Sequence, residues 1–405
     1  MTTLAALAAA WFATKLLGDL AQRIKQPAVL GELLAGVLLG ASVFGVLDPA
    51  DPFIHQLSEL GVIVLLFTIG LETELASLVR VGSAATMVAV TGVVLPMVSG
   101  YYVGVALGLE TVPALVCGAA LCATSVGITG RVLSDIGWLE STEGKVILGA
   151  AVIDDVIGLI ILAVIASVVA GGTPTVASVS RLTGVAVAFV AAAVLIGGVV
   201  AKPLFGAAER LKAEGALGTI GLVFAIVLAW LAEMAGSAMI VGAFSAGLVL
   251  HGLPQRKEIQ RTATSLGHLV VPLFFASVGA AVSLGALADS RSLALGAALV
   301  VTGIVGKLLA GVGAWRLQAD KTLIGIGMVP RGEVGLIFAQ MGLAAGAVTA
   351  GQYGALMLMV LITTFVTPPA LAWRARHVGR RAPATDRPGD GGVDDLVAGT
   401  RKTGR

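Results

Sequence analysis

Apolar residues fill the chain in runs of about 20, broken by short polar or charged stretches. In order the runs cover approximately 2–22, 27–46, 57–78, 82–107, 112–134, 143–170, 178–206, 216–235, 238–252, 266–286, 292–315, 322–347 and 352–373. About 20 helical residues cross the ~30 Å hydrocarbon core of a bilayer. The pattern predicts an all-α polytopic membrane protein with about 13 transmembrane helices. The first run has no basic leader and passes directly into the second, so it reads as a span and not as a cleaved signal peptide. From His377 to Arg405 the residues turn to Arg, Gly, Asp and Pro, which predicts a disordered tail.

Composition sharpens this picture. Of 405 residues 57% are hydrophobic and 12% charged, against about 25% charged in soluble domains. That excludes a soluble enzyme carrying an anchor. The net charge of +2 says little, but the placement of Lys and Arg says more. With the tail inside and an odd number of spans, the N-terminus lies outside. Inside loops then collect most of the cations, among them Arg23, Arg131, Lys145, Lys202, Arg261 and Lys321, while outside loops hold only Arg181 and Arg291. Cys117 and Cys122 fall on different faces of one span, so no disulfide is expected between them. His251 and His268 flank an expected inside loop at 253–265 and read as interface histidines.

An internal repeat runs through the chain. Val29-Leu-Gly-Glu-Leu-Leu-Ala-Gly-Val-Leu-Leu-Gly40 parallels Ile240-Val-Gly-Ala-Phe-Ser-Ala-Gly-Leu-Val-Leu-His251-Gly252. Leu66-Phe67 with Gly70 echoes Phe274-Phe275 with Gly279, and Ser125-Val126-Gly127 echoes Glu333-Val334-Gly335. An odd number of spans separates the copies, so the halves lie in opposite orientation, as in inverted-repeat transporters.

The charges inside these spans carry the candidate chemistry. Asp154 and Asp155 are adjacent in the run 143–170. Each acid costs roughly 2.5–3.5 kcal/mol at mid-membrane on insertion scales. A core helix gains nothing structural from such a pair, so the pair reads as an ion or proton site. Lys307 needs a carboxylate partner at the same depth, and either aspartate can serve. Neighbouring helical residues project about 100° apart, so one acid can face Lys307 and the other a cavity. Two spans also carry matching interruptions: Cys122-Ala-Thr-Ser-Val-Gly-Ile-Thr-Gly130, and Gly325 to Gly335 with Pro330, Arg331 and Glu333. Paired breaks in equivalent spans point to a binding site, because opened backbone offers carbonyls to an ion. Arg331 and Glu333 can neutralise each other or contact that backbone. Glu32 is a further acid within an apolar run, the second, without an assigned task.

These motifs resemble the monovalent cation:proton antiporter superfamily, and within it the NapA-type bacterial Na+/H+ antiporters. The likeness runs from about Gln26 to Trp373. It rests on Gln26-Pro27 with Gly-Glu-Leu-Leu-Ala-Gly, Leu65-Leu-Phe with Gly70-Leu-Glu72, Ala123-Thr-Ser-Val-Gly-Ile-Thr129, Gly149-Ala-Ala-Val-Ile-Asp-Asp155, Gly306-Lys307 and Pro330-Arg-Gly-Glu-Val-Gly335. The resemblance implies a fold of 13 helices with two crossing broken spans, and a homodimer in the cell (inner) membrane. Residues 1–80 and 213–290 would form a dimerisation domain, 81–176 and 291–376 a mobile core, 177–212 a linker helix, and 377–405 a disordered cytoplasmic tail. Asp155 would be the principal carrier of cation and proton, and Asp154 would pair with Lys307 in the ion-free state. Thr124, Ser125, Thr129 and Glu333 would lie near the site, and Arg331 would support the crossing.

The expected activity is electrogenic exchange of Na+ or Li+ for protons by an elevator-like shift, with the two ions competing at Asp155 and with Ser125 helping to hold Na+. No cofactor, nucleic acid or enzymatic activity is expected; the partners are the ions, membrane lipids and a second copy. K+/H+ exchange on the same scaffold is the near alternative. Relatives of that kind are associated with a Gln-Asp pair and electroneutral ones with Asn-Asp, where this chain has Asp154. A Na+-coupled solute symporter would not need a Lys-paired Asp-Asp. An intramembrane aspartyl protease would need facing aspartates on separate helices and a Gly-x-Gly-Asp pattern, which is absent.

Overall fold

A computed structural model describes residues 3–24, 26–169, 176–211, 213–235, 239–281 and 290–379. Helix is the regular secondary structure throughout these residues, with no strand among them. The helices are α1 (Thr3–Arg23), α2 (Ala28–Leu39), α3 (Pro52–Glu72), α4 (Leu75–Arg80), α5 (Gly82–Ala106), α6 (Thr111–Ala120), α7 (Val126–Asp135), α8 (Thr142–Val169), α9 (Val176–Ala208), α10 (Ala216–Met234), α11 (Met239–His251), α12 (Arg256–Ala280), α13 (Ser290–Ala310), α14 (Lys321–Gly327), α15 (Glu333–Ala344) and α16 (Ala350–Gly379). Eight stretches of these are outright long and apolar enough to cross a membrane. The chain is a multi-pass membrane protein.

Every expected run coincides with a helix or a helix pair, with instructive departures. The runs 112–134 and 322–347 are each two half-helices, α6–α7 and α14–α15, and the short α4 was not anticipated. The described residues hold 16 α-helices, α6–α7 and α14–α15 each making up one expected run. The inside loop expected at 253–265 is mostly the polar first half of α12, which starts at Arg256. Its cations occupy a helix that continues past the apolar stretch, because hydropathy marks the depth of lipid and not where a helix ends. Arg131, expected in a loop, lies within α7. The proposed tail lies outside the described residues beyond Gly379.

Local chemistry explains several boundaries. Asp51 caps α3: its Oδ1 accepts from the backbone N–H of Phe53 at 2.9 Å and of Ile54 at 3.2 Å, with Pro52 at the first helical position. Asp320 caps α14 through the Leu323 N–H at 2.7 Å, and also binds Arg374 of α16. Cys117 and Cys122 are free and buried.

Packing repeats with the sequence. α2 lies against α1 and α12, and α11 lies equivalently against α10 and α3. The contact points are glycines at backbone carbonyls. Gly36 abuts the Ala276 carbonyl, and its repeat mate Gly247 abuts that of Phe67. Gly31 meets the Leu17 carbonyl as Gly242 meets Leu228, and Gly70 meets Phe244 as Gly279 meets Leu33. At each point a Cβ would collide with the facing backbone. Small residues permit this approach in lipid, where close packing replaces the hydrophobic drive. The halves thus interlock by exchanging equivalent contacts. On the other side, α5 packs on α6, α8 and α13, α13 on α16, and α15 on α6 and α16, while α9 touches α8, α10 and α11.

This packing makes a clear expectation. Gly36→Ala and Gly247→Ala should each destabilise the protein by about 1–3 kcal/mol through overpacking, seen as a lower Tm in detergent. Gly82→Ala, at a position with open space around it, should leave the Tm unchanged.

Candidate ion site at the crossing of two broken helices

Between α6 and α7 the residues Leu121–Ser125 are not helical, and between α14 and α15 the residues Met328–Gly332 are not. The second break follows from Pro330, which cannot donate a helix hydrogen bond. The first has neither proline nor glycine in it, and Gly127 and Gly130 lie beyond it in α7. It is held open by its partner. The Ser125 N–H donates to the Pro330 carbonyl at 2.8 Å. Thr124 Oγ1 donates to the Met328 carbonyl at 3.1 Å, and Thr129 Oγ1 to that of Gly327 at 2.7 Å. In return Arg331 Nη1 donates to the carbonyls of Cys122 at 3.1 Å and Ala123 at 2.7 Å. The guanidinium thereby caps the C-terminal end of α6, where orphan carbonyls and the helix dipole favour a cation.

The expected charges gather against this crossing. α8 carries Asp154 and Asp155, 0% and 3% exposed, and α13 carries Lys307 at 0%. Lys307 Nζ lies 3.0 Å from Asp154 Oδ2 and donates to Thr124 Oγ1 at 2.8 Å. The choice of partner left open by the sequence falls to Asp154. Thr124 accepts from the lysine and donates to the opposite half's backbone, so the ion pair is hydrogen-bonded into the crossing. Gly92 of α5 makes room: a Cβ there would stand 3.4 Å from Lys307 Nζ. Ser125 is buried, and a Cβ on Gly332 would press on its Oγ at 2.6 Å. Asp154 Oδ1, Ser125 Oγ and Arg331 Nε and Nη2 are buried without a hydrogen-bond partner among the described residues. Buried oxygens of that kind are donors in waiting for a hard cation or a proton.

Of the two roles the sequence left open for Arg331, the structure shows the contact with the opened backbone of the other broken span. Glu333 opens α15, and its side chain lies outside what the structure describes. Thr364 was missed: its Oγ1, buried on α16, donates to the Arg331 carbonyl at 2.5 Å. The signal was present in Thr363-Thr364 and Thr367, hydroxyls in the middle of an apolar run.

An inverted repeat with two broken helices crossing beside a buried acid–lysine pair defines a secondary transporter. Comparison with known proteins narrows the class. The family model described as "Sodium/hydrogen exchanger, transmembrane" matches residues 7–376. The chain is 38% identical over 91% of its length to the high-affinity Na+/H+ antiporter NhaS3 of Synechocystis sp., covering 88% of that protein. It is 35% identical over 89% to the Na+/H+-K+ antiporter GerN of Bacillus cereus, covering 93% of it. The fold matches the sodium proton antiporter MjNhaP1 of Methanocaldococcus jannaschii with a TM-score of 0.69 at 17% identity, over 92% of this chain and 100% of that one. The chain belongs to the sodium/hydrogen exchanger family.

The buried pair carries its own test. Lys307→Met leaves Asp154 without its counter-ion, which should cost about 3–5 kcal/mol at alkaline pH. The double change Lys307→Met with Asp154→Asn should recover most of the lost Tm.

Proposed function

We propose that the chain is an electrogenic Na+/H+ antiporter that exports sodium, or lithium, in exchange for protons. The observation that carries this reading is the buried chain from Asp154 through Lys307 and Thr124 to the opened backbone, with Asp155 at the next position of α8. One carboxylate cannot hold Na+ and H+ together. Asp155 takes them in turn, and oxygen ligands suit the hard cation: its own carboxylate, the unpartnered Ser125 hydroxyl and opened carbonyls. Arrival of Na+ at this site draws Asp154 away from Lys307, which gives up its proton. Two protons then exchange for one Na+, and the net charge couples transport to the membrane potential at about 2.3 kcal/mol per charge per 100 mV.

Alternating access follows from a shift of one helix group against another. In this reading residues 81–176 and 291–376 form the moving core. Residues 1–80 and 213–290 form the static, dimerising part, with 177–212 between them. The N-terminus lies outside and the C-terminus in the cytoplasm. The name of GerN, a Na+/H+-K+ antiporter, favours K+ as a second cation to be examined.

Proton flux in proteoliposomes tests this with Na+, Li+ and K+ in turn. Na+ and Li+ should drive exchange in the native protein, and Asp155→Asn should abolish it. Exchange driven by K+ alone would replace the sodium reading. Lys307→Gln should retain exchange at a reduced rate but lose its response to an imposed voltage; an unchanged voltage response would remove the two-proton stoichiometry.

A further inference from the structure

Glu32 is a buried acid that the ion site does not use. It sits on α2, 4% exposed, and its Oε2 has no hydrogen-bond partner among the described residues. Its Oε1 lies 3.9 Å from Arg131 Nη2 on α7. Arg131 Nε lies closer, at 3.0 Å, to Asp135 Oδ1, one turn further along the same helix. One guanidinium is therefore shared by two acids, one across a helix boundary and one on its own helix.

The boundary is unusual for this molecule. α7 packs on α2, α3, α8 and α16, but clefts open along its end. One, of about 180 Å³, runs between α7 and the α3–α12 pair and is lined by Thr68, Glu72, Ser134, Thr264 and His268 among others. A second, of about 140 Å³, lies on the α1–α2 side beside Asp135, Gln22, Gln26 and Arg376. At this end polar groups and space stand where glycine-to-carbonyl packing fastens α2 to α12 and α3 to α11, while further along α7 Gly127 and Gly130 pack on the side chains of Phe274, Leu65 and Ile69. If α7 shifts against α2, the Arg131–Asp135 pair travels with it. Only the Arg131–Glu32 contact changes. A buried carboxylate that loses its counter-ion is costly, so this contact favours the arrangement seen here. Its length and the competing acid keep it breakable.

We propose that Glu32 and Arg131 form a latch across the sliding seam, and that Asp135 sets its strength by competing for the guanidinium. The inference rests on the alternating-access reading above, in which α2 and α7 belong to opposite groups. Glu32 is then a further residue of the transport cycle, acting on the balance between access states and not on the ion.

Cysteine labelling of the full-length protein in liposomes tests it. Thr264→Cys, on the α12 wall of the larger cleft, serves as reporter for a water-soluble maleimide; the native Cys117 and Cys122 are buried. In the reporter protein the labelling rate should differ between Na+-loaded and Na+-free conditions at fixed pH. No difference would overturn alternating access at this seam, and the latch with it. Where the difference is present, Glu32→Gln should move the Na+-free rate at least threefold toward the Na+-loaded value. Asp135→Asn, which removes the competitor, should hold the Na+-loaded rate near the Na+-free value instead and leave the Na+-free rate unchanged. Equal effects from the two variants, or none, would overturn the latch while leaving alternating access standing. Should Glu32→Gln lower the Tm by itself, Glu32→Asp, with the charge kept on a shorter stem, should give a smaller shift in the same direction; no shift would count against the proposal.

Discussion

Backbone opened inside a membrane must find partners within the protein, because lipid offers none. That constraint organises this molecule. The two broken spans satisfy each other: Ser125 with Pro330, Thr124 with Met328, Thr129 with Gly327, and Arg331 with Cys122 and Ala123. Neither break is stable alone, and the first has no breaker residue of its own. The crossing is thus one unit made from both halves of the repeat. Thr364 extends it to α16 by binding the Arg331 carbonyl. A long-range pairing of this kind cannot deform gradually. It holds the surrounding charges at fixed positions.

The charges are tied to that unit, not merely near it. Lys307 divides its hydrogen bonds between Asp154 and Thr124, and Thr124 passes the link to the Met328 carbonyl. A change in the charge of Asp154 therefore reaches the Met328 carbonyl through three hydrogen bonds. Arg331 supplies a second buried cation, which donates to carbonyls. This division explains why a lysine and an arginine coexist at one depth. The planar guanidinium spans two carbonyls with fixed geometry, whereas the ammonium is a point charge on a flexible stem.

Much of this was legible in the residues. Apolar runs located the helices, because a bilayer enforces their length. The repeat was readable because the same glycines recur where backbones touch, Gly36 with Gly247 and Gly70 with Gly279. Asp154, Asp155 and Lys307 stood out because charge in lipid is rarely accidental. What stayed hidden depended on partners distant in sequence. The break at Leu121–Ser125 is held by the other half, and the particular carbonyls that Arg331 binds, of Cys122 and Ala123, lie some 200 residues away. The helical start of α12 was hidden because its polar residues lie beyond the apolar window.

The same comparison of contacts bears on how such a structure can both hold and move. Where α2 meets α12 and α3 meets α11, glycine presses on carbonyl, and sliding would drive Cα atoms into backbone. These contacts make a rigid frame. α7 meets the frame through side chains, Gly127 and Gly130 against Phe274, Leu65 and Ile69, and at its end through clefts and an ion pair at 3.9 Å, where the frame itself has backbone in van der Waals contact. Ionic contacts with space beside them can be exchanged for water at modest cost, whereas interlocked backbones cannot be parted without opening voids. The distribution of the two kinds of surface is what the proposed division into a static and a moving group requires. In that proposed division the cost of motion falls at α7, on the half-helix that leads directly from the seam to Thr124 and the buried lysine.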